Sequence, residues 1–439
     1  MREAWYRFWY SSTSPNLLCR GRALFCGALL LDALTQERAL WADISPVFFN
    51  PTILVRLVGL PTYELCLAME YIWQIALLAA TIGLFTRVSV PVAAVLGTFV
   101  MGLPSSFCSF GQGNHHHYNV ACIILWVLAF SRCGDAFSVD AWRAKKKTES
   151  DGEYTWPIRM IWITLCCMFF AAGLIKLRIA GPAWVLPENL SRVLIHRHYF
   201  PRTNPPGDWG LLVSQIPWAC FLIASLALFI ELAYPMGLLA GVRPHSRWRW
   251  AALIPAAMVP TLVGIRVLMG PFFYMVALAH IFWWPQRIER EITPPSRRRQ
   301  AIVAILLTVI LTGSAFDFIF KREDFPFSWY PMFASTASPD ITRYLLFGVD
   351  AEGREWILQS KETYPPEDPT LDRIALHRTF RVLLDRPDDL REGVEDCLRR
   401  YRNLGLDLKG IRLYECHWEP KLTLEGREDP ERTLVVEVR

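Results

Sequence analysis

Charge is scarce in this chain. Only 20% of its 439 residues are Asp, Glu, Lys or Arg, against 53% that are hydrophobic, and the mean hydropathy is positive. That balance excludes an ordinary soluble protein of this length. The eleven cysteines are scattered, with no Cys-x-x-Cys or zinc spacing, so no metal site is expected. There is no internal repeat and no low-complexity tract. The basic runs are short and juxtamembrane, which gives no case for nucleic acid. About twenty aromatic and basic residues precede the first apolar run, and no small-residue cleavage site follows it, so no cleavable signal peptide is expected.

Apolar runs supply what is there. Window hydropathy predicts an all-α polytopic membrane bundle of about nine spans. They lie near residues 22–36, 63–85, 88–106, 115–132, 155–177, 210–240, 249–269, 271–285 and 301–320. Asp32 and Gln36 interrupt the first, and the eighth is short. Residues 1–21 mix Trp5, Tyr6, Phe8, Trp9 and Tyr10 with Arg2, Arg7 and Arg20, as an amphipathic element on a membrane surface does. With the N-terminus inside, the inner loops hold Arg87, the Arg143–Lys147 cluster, Arg243, Arg247, Arg249 and the Arg287–Arg299 group. That is a positive-inside pattern, and it places the tail outside. Loop 178–209 breaks the rule with Arg178, Arg192, Arg197 and Arg202; it is either a lone exception or a basic vestibule for anionic groups.

The character of the chain changes near Asp324. Residues 321–340 form an aromatic, proline-containing linker expected at the membrane interface. Residues 341–439 read as a small extracytoplasmic α+β domain with one modest core. Its expected strands are 344–349, 356–359, 411–418 and 433–438, and its expected helices are 371–384 and 390–403. Cys397 and Cys416 in this tail could pair if the compartment is oxidising.

Three polar groups stand out within the apolar background. Asn114, His115, His116, His117 and Tyr118 open the fourth span. Consecutive histidines on a helix point about 100° apart and cannot share one ion; one of them is instead a proton shuttle or an orienting group, or the run is wet interfacial surface. Lys176 closes the fifth span, with Arg178 and Trp184 after it. It is either a desolvated base or a snorkelling anchor. The topology puts Lys176 and His115 at the same outer depth. Asp32, Glu64, Glu70, Glu231 and Arg266 are intramembrane charges expected to face the interior, and Glu231 with Arg266 is a conceivable structural pair.

These residues fall in a familiar order. Asn114-His115, then Ser138-Val139-Asp140, then Ala172-Gly173-Leu174-Ile175-Lys176-Leu177, then Trp184 with Glu188-Asn189-Leu190-Ser191-Arg192 resemble the motifs of the vitamin K-dependent γ-glutamyl carboxylase family. The resemblance is to its bacterial HTTM (horizontally transferred transmembrane) relatives and spans roughly residues 15–320. It implies a membrane enzyme, of lyase type, in a bacterial inner membrane. Lys176 would be the base that deprotonates reduced vitamin K or menaquinol, with His115 assisting. The isoprenoid quinol, oxygen and carbon dioxide would be consumed, the quinol leaving as an epoxide, while a glutamyl group of an outside peptide is carboxylated. The family's paired Lys-Lys is Ile175-Lys176 here, and the tail has no clear similarity to the eukaryotic lumenal part. The alternatives are a non-catalytic maturation or accessory protein, with Lys176 as an anchor and the tail as a binding module, and a transporter with Glu231 and Arg266 on its pathway.

Overall fold

The computed structural model describes residues 2–49, 51–107, 116–145, 149–199, 208–242, 247–269, 274–284, 288–322, 324–331, 333–358, 380–381, 383–419 and 429–439. A short helix α1 (Arg2–Tyr10) leads through strand β1 (Ser11–Thr13) into α2 (Asn16–Thr35). Then come α3 (Ile53–Val58), α4 (Tyr63–Ile82), α5 (Thr86–Gly102), α6 (His116–Ala129), α7 (Val139–Ala144) and α8 (Thr155–Ile179). Helices α9 (Pro187–Tyr199), α10 (Trp209–Ser214), α11 (Pro217–Ala233), α12 (Leu238–Val242), α13 (Leu253–Met269) and α14 (Tyr274–Ala279) follow. Strand β2 (Ile288–Ile292) returns to pair antiparallel with β1, and α15 (Arg297–Phe320) ends the helical part.

Six helical stretches are long and apolar enough to cross a membrane: Tyr63–Ile82, Thr86–Ser106, Gly152–Ile179, Pro217–Val242, Trp250–Leu268 and Arg297–Phe320. The protein is therefore a mostly helical membrane protein, but with six such stretches among the described residues rather than nine. Within the fourth and eighth expected spans the described residues include the apolar helices Tyr118–Ala129 and Tyr274–Trp283, which cover about 18 and 15 Å at 1.5 Å per residue. Both are core elements: Val120, Ile124, Leu128, Met275, Val276 and Ala279 are all buried. Window hydropathy does not separate a buried core helix from a lipid-facing one. The first expected span is the longer α2, which carries Arg20, Arg22 and Asp32 along its length.

Local chemistry sets the junctions. Gly83 closes α4 with φ 75°, a left-handed cap that glycine adopts without a Cβ clash. Residues 324–331 pack against the helical core. Phe325 and Tyr330 are buried in the main helical core, and the Asn119 side chain donates to the Phe327 carbonyl at 3.1 Å.

The tail is a four-stranded antiparallel sheet in the order β4-β3-β5-β6, from β3 (Ile341–Val349), β4 (Glu355–Ile357), β5 (Gly410–Trp418) and β6 (Glu431–Val438). Helix α16 (Pro387–Asn403) packs on it through Val394, Cys397 and Tyr401. The expected helix at 371–384 falls almost wholly outside the described residues. Cys397 and Cys416 are buried free thiols, not a disulfide. The tail shares its core with the segment after α2 and with the end of α5, through Trp41, Phe48, Phe99 and Leu103. Arg400 reinforces the contact with an ion pair to Asp43 at 3.2 Å.

Candidate functional site

Lys176 sits in the last turn of α8, with 5% of its surface exposed. Gly173 lets α11 approach: a Cβ there would stand 3.0 Å from Leu232 and 3.2 Å from the Glu231 Cβ. That closeness brings Glu231 to the lysine. Lys176 Nζ donates to both Glu231 oxygens at 2.8 Å and to the Ala172 carbonyl at 3.3 Å. The Trp184 ring centroid lies 5.3 Å from the same nitrogen, a cation–π geometry. Amine and carboxylate thus form a desolvated, bidentate pair with an aromatic wall.

Glu231 lies in the last turn of α11, about 21 Å along the helix from Pro217. The partner of Glu231 is Lys176, where the sequence had offered Arg266; Arg266 lies in the last turn of α13.

The motif after Lys176 ties this corner to the tail. Trp184 Nε1 donates to the Phe333 carbonyl at 2.5 Å, and the Asn189 amide donates to the Trp184 carbonyl at 2.8 Å. The Asn189 oxygen accepts from the Ala337 N–H at 2.8 Å, and Arg192 donates to the Ala337 carbonyl at 3.4 Å. Arg178 donates to the Phe318 carbonyl of α15 at 3.3 Å, and Arg197 lies 5.5 Å over the Phe333 ring. Arg192 and Arg197, two of the arginines of the expected vestibule, thus contact the chain that leads into β3, and Arg202 lies outside the described residues.

Of the histidine cluster, Asn114 and His115 lie outside the described residues. His116 and His117 occupy the first turn of α6, and their side chains are also outside the description. Tyr118 belongs to a second polar centre. Arg38 donates to Asp32 and, at 2.6 Å, to the Tyr118 hydroxyl, which donates to Asp32 at 2.8 Å. Tyr274 also bonds Asp32, and Glu70 accepts from the Arg38 and Ala39 N–H groups at 2.8 and 2.9 Å. Asp32 and Glu70 face inward as expected, whereas Glu64 is exposed. Arg38 was missed because it lies between apolar runs, where an arginine reads as an ordinary loop charge.

Ser138-Val139-Asp140 has a visible structural task. Asp140 accepts from the Phe85 N–H at 2.9 Å, the Thr86 N–H at 2.7 Å and the Thr86 hydroxyl at 2.8 Å, capping the start of α5 from across the chain. Partial burial opposes its charge, but these bonds outweigh that and hold its carboxyl below the usual carboxylate range. Ser138 caps α7 by accepting from the Ala141 N–H at 2.9 Å.

The family model for the HTTM domain matches residues 10–286. The chain belongs to the HTTM domain family. The carboxylase-like motif order agrees with that membership. Both the Lys176–Glu231 pair and the Asp32–Arg38 centre lie inside the HTTM match, whereas α15 and the tail lie beyond it. Neither the curated proteins nor the solved structures give a match.

Proposed function

We propose that this HTTM protein is an integral membrane enzyme of the vitamin K-dependent carboxylase type, with Lys176 as its base and Glu231 as the counter-ion that takes its proton. The observation that carries this reading is the bidentate Lys176–Glu231 contact, 2.8 Å to each oxygen, beneath Trp184. An ammonium cannot act as a base. In an apolar setting the charge-separated pair and the neutral amine–carboxylic acid pair lie closer in energy than in water. Glu231 can therefore hold the lysine's proton while the amine accepts one from a substrate hydroxyl.

The setting fits a reduced isoprenoid quinone. The amine is buried among apolar side chains of membrane helices, where such a molecule partitions, and Trp184 offers a ring face for stacking. Bound there, reduced vitamin K or menaquinol with oxygen would supply the strong base that takes a glutamyl γ-proton before carbon dioxide adds. Water exclusion around Lys176 protects such chemistry. His115 assists, and Trp184 and Asn189 position this corner. The glutamyl group comes from a peptide on the outer face, where the tail lies, with the N-terminus cytoplasmic in a bacterial inner membrane.

Lys176→Arg tests the reading. Arginine keeps the charge and can still pair with Glu231, but it does not deprotonate. The variant should express and fold yet form no quinone epoxide. Epoxide formation at the wild-type rate would remove Lys176 as the base.

A further inference from the structure

Among the described residues of the helical part, three arginines are fully buried: Arg22, Arg38 and Arg159. The first two have protein hydrogen-bond partners, although the Arg38 Nε has none. Arg22 donates to the Ala80 carbonyl at 2.8 Å and the Phe137 carbonyl at 2.5 Å, and Arg38 has Asp32 and Tyr118. Arg159 differs. All three of its guanidinium nitrogens are buried without a hydrogen-bond partner. Its surroundings are aromatic: the Trp162 ring lies 3.9 Å from the guanidinium carbon and the Phe8 ring 5.4 Å. Gly241 of α12 lies against it, where a Cβ would stand 2.8 Å from Nη1. Cation–π stacking recovers part of the lost hydration, but it satisfies none of the N–H groups and leaves the charge uncompensated. The Trp9 indole N–H of α1, the helix that packs on α8, is likewise buried and unpartnered.

The position indicates what supplies the charge. Arg159 is only about 6 Å from the start of α8. The same end of the bundle carries exposed Trp5, Trp250 and Trp284, a girdle of the kind found at headgroup level. A planar guanidinium fork matches a phosphate group bidentately.

We propose that Arg159 forms a phosphate-binding site between α1, α8 and α12, at the end of the bundle away from the tail. Its ligand is the phosphate group of a membrane phospholipid, reached by displacement of α1 or α12, and the site is independent of the Lys176 chemistry.

The test is phospholipid retention and thermal stability of the full chain purified in detergent. Wild type should retain phospholipid after delipidation, and its Tm should rise when phosphatidylglycerol is added back. Arg159→Met should lose both responses. A rise with inorganic phosphate, again absent from Arg159→Met, would support the phosphate site but make free phosphate its ligand. Equal responses of wild type and Arg159→Met to both additions would overturn the proposal. Should Arg159→Met not fold, Arg159→Lys carries the test: it keeps the charge without the fork, so the response should fall several-fold, and an undiminished response would overturn the assignment.

Discussion

Lys176 Nζ lies 2.8 Å from each carboxylate oxygen of Glu231, joining the last turn of α8 to the last turn of α11. The contact turns a lysine at the end of an apolar run into one half of a buried pair. Removing either half alone leaves the other charged and desolvated. Glu231→Gln should therefore destabilise the protein by about 3–5 kcal/mol. The double variant Lys176→Met/Glu231→Leu should recover most of that loss, because neither charge remains. Thermal melts of the two single variants and the double variant form the cycle that checks this; additive losses would show that the residues do not depend on one another.

Asp140 gives a pH-dependent prediction. Its carboxyl is held below the usual range in the folded state, so its stabilising contribution is present above the unfolded value, near about 4. It fades as the pH falls through the folded value. Asp140→Asn should be less stable than wild type at neutral pH by about 1 kcal/mol, as expected for a lost helix cap. The two proteins should converge in acid, and melting curves between neutral pH and about pH 3 would show it.

Trp184 is expected to serve two ends. Trp184→Phe keeps a ring over the lysine but loses the bond to the Phe333 carbonyl, at a cost of about 1 kcal/mol. It should open the chain near residues 333–340 to protease while leaving quinol turnover largely intact. Trp184→Ala should lose turnover as well. Equal turnover in the two variants would remove the ring from the site.

Docking of the tail turns on Gly393. A Cβ there would stand 2.8 Å from the Phe48 ring, which is buried between the membrane part and the tail. Gly393→Val should expel Phe48 and speed proteolysis between α15 and β3, with little change in the melting of the helical bundle.

The tail's strands were largely legible in the sequence. Alternation in Ile411–Trp418 and Thr433–Val438 reports one buried face directly, and the turn Asp350–Gly353 fixes the hairpin. The number of spans was less legible, because Tyr118–Ala129 and Tyr274–Trp283 are as apolar as lipid-facing helices but are largely covered by protein. Lys176 was visible as an ionisable residue in an apolar run. Its partner was not: Glu231 is separated from it by 55 residues, and what joins them is the close packing that Gly173 permits. Arg38 and Arg159 went unread for a related reason, since an arginine near a helix end looks solvated until its neighbours are known.

The central claim is that Lys176 and Glu231 act together on a reduced quinone. The most direct measurement is quinone epoxide formed under oxygen by the lipid-reconstituted protein, comparing wild type with Lys176→Ala and Glu231→Gln. Epoxide from wild type, with neither folded variant producing it, is the result the account predicts. No epoxide from well-folded wild type, or undiminished epoxide from Lys176→Ala, would contradict it.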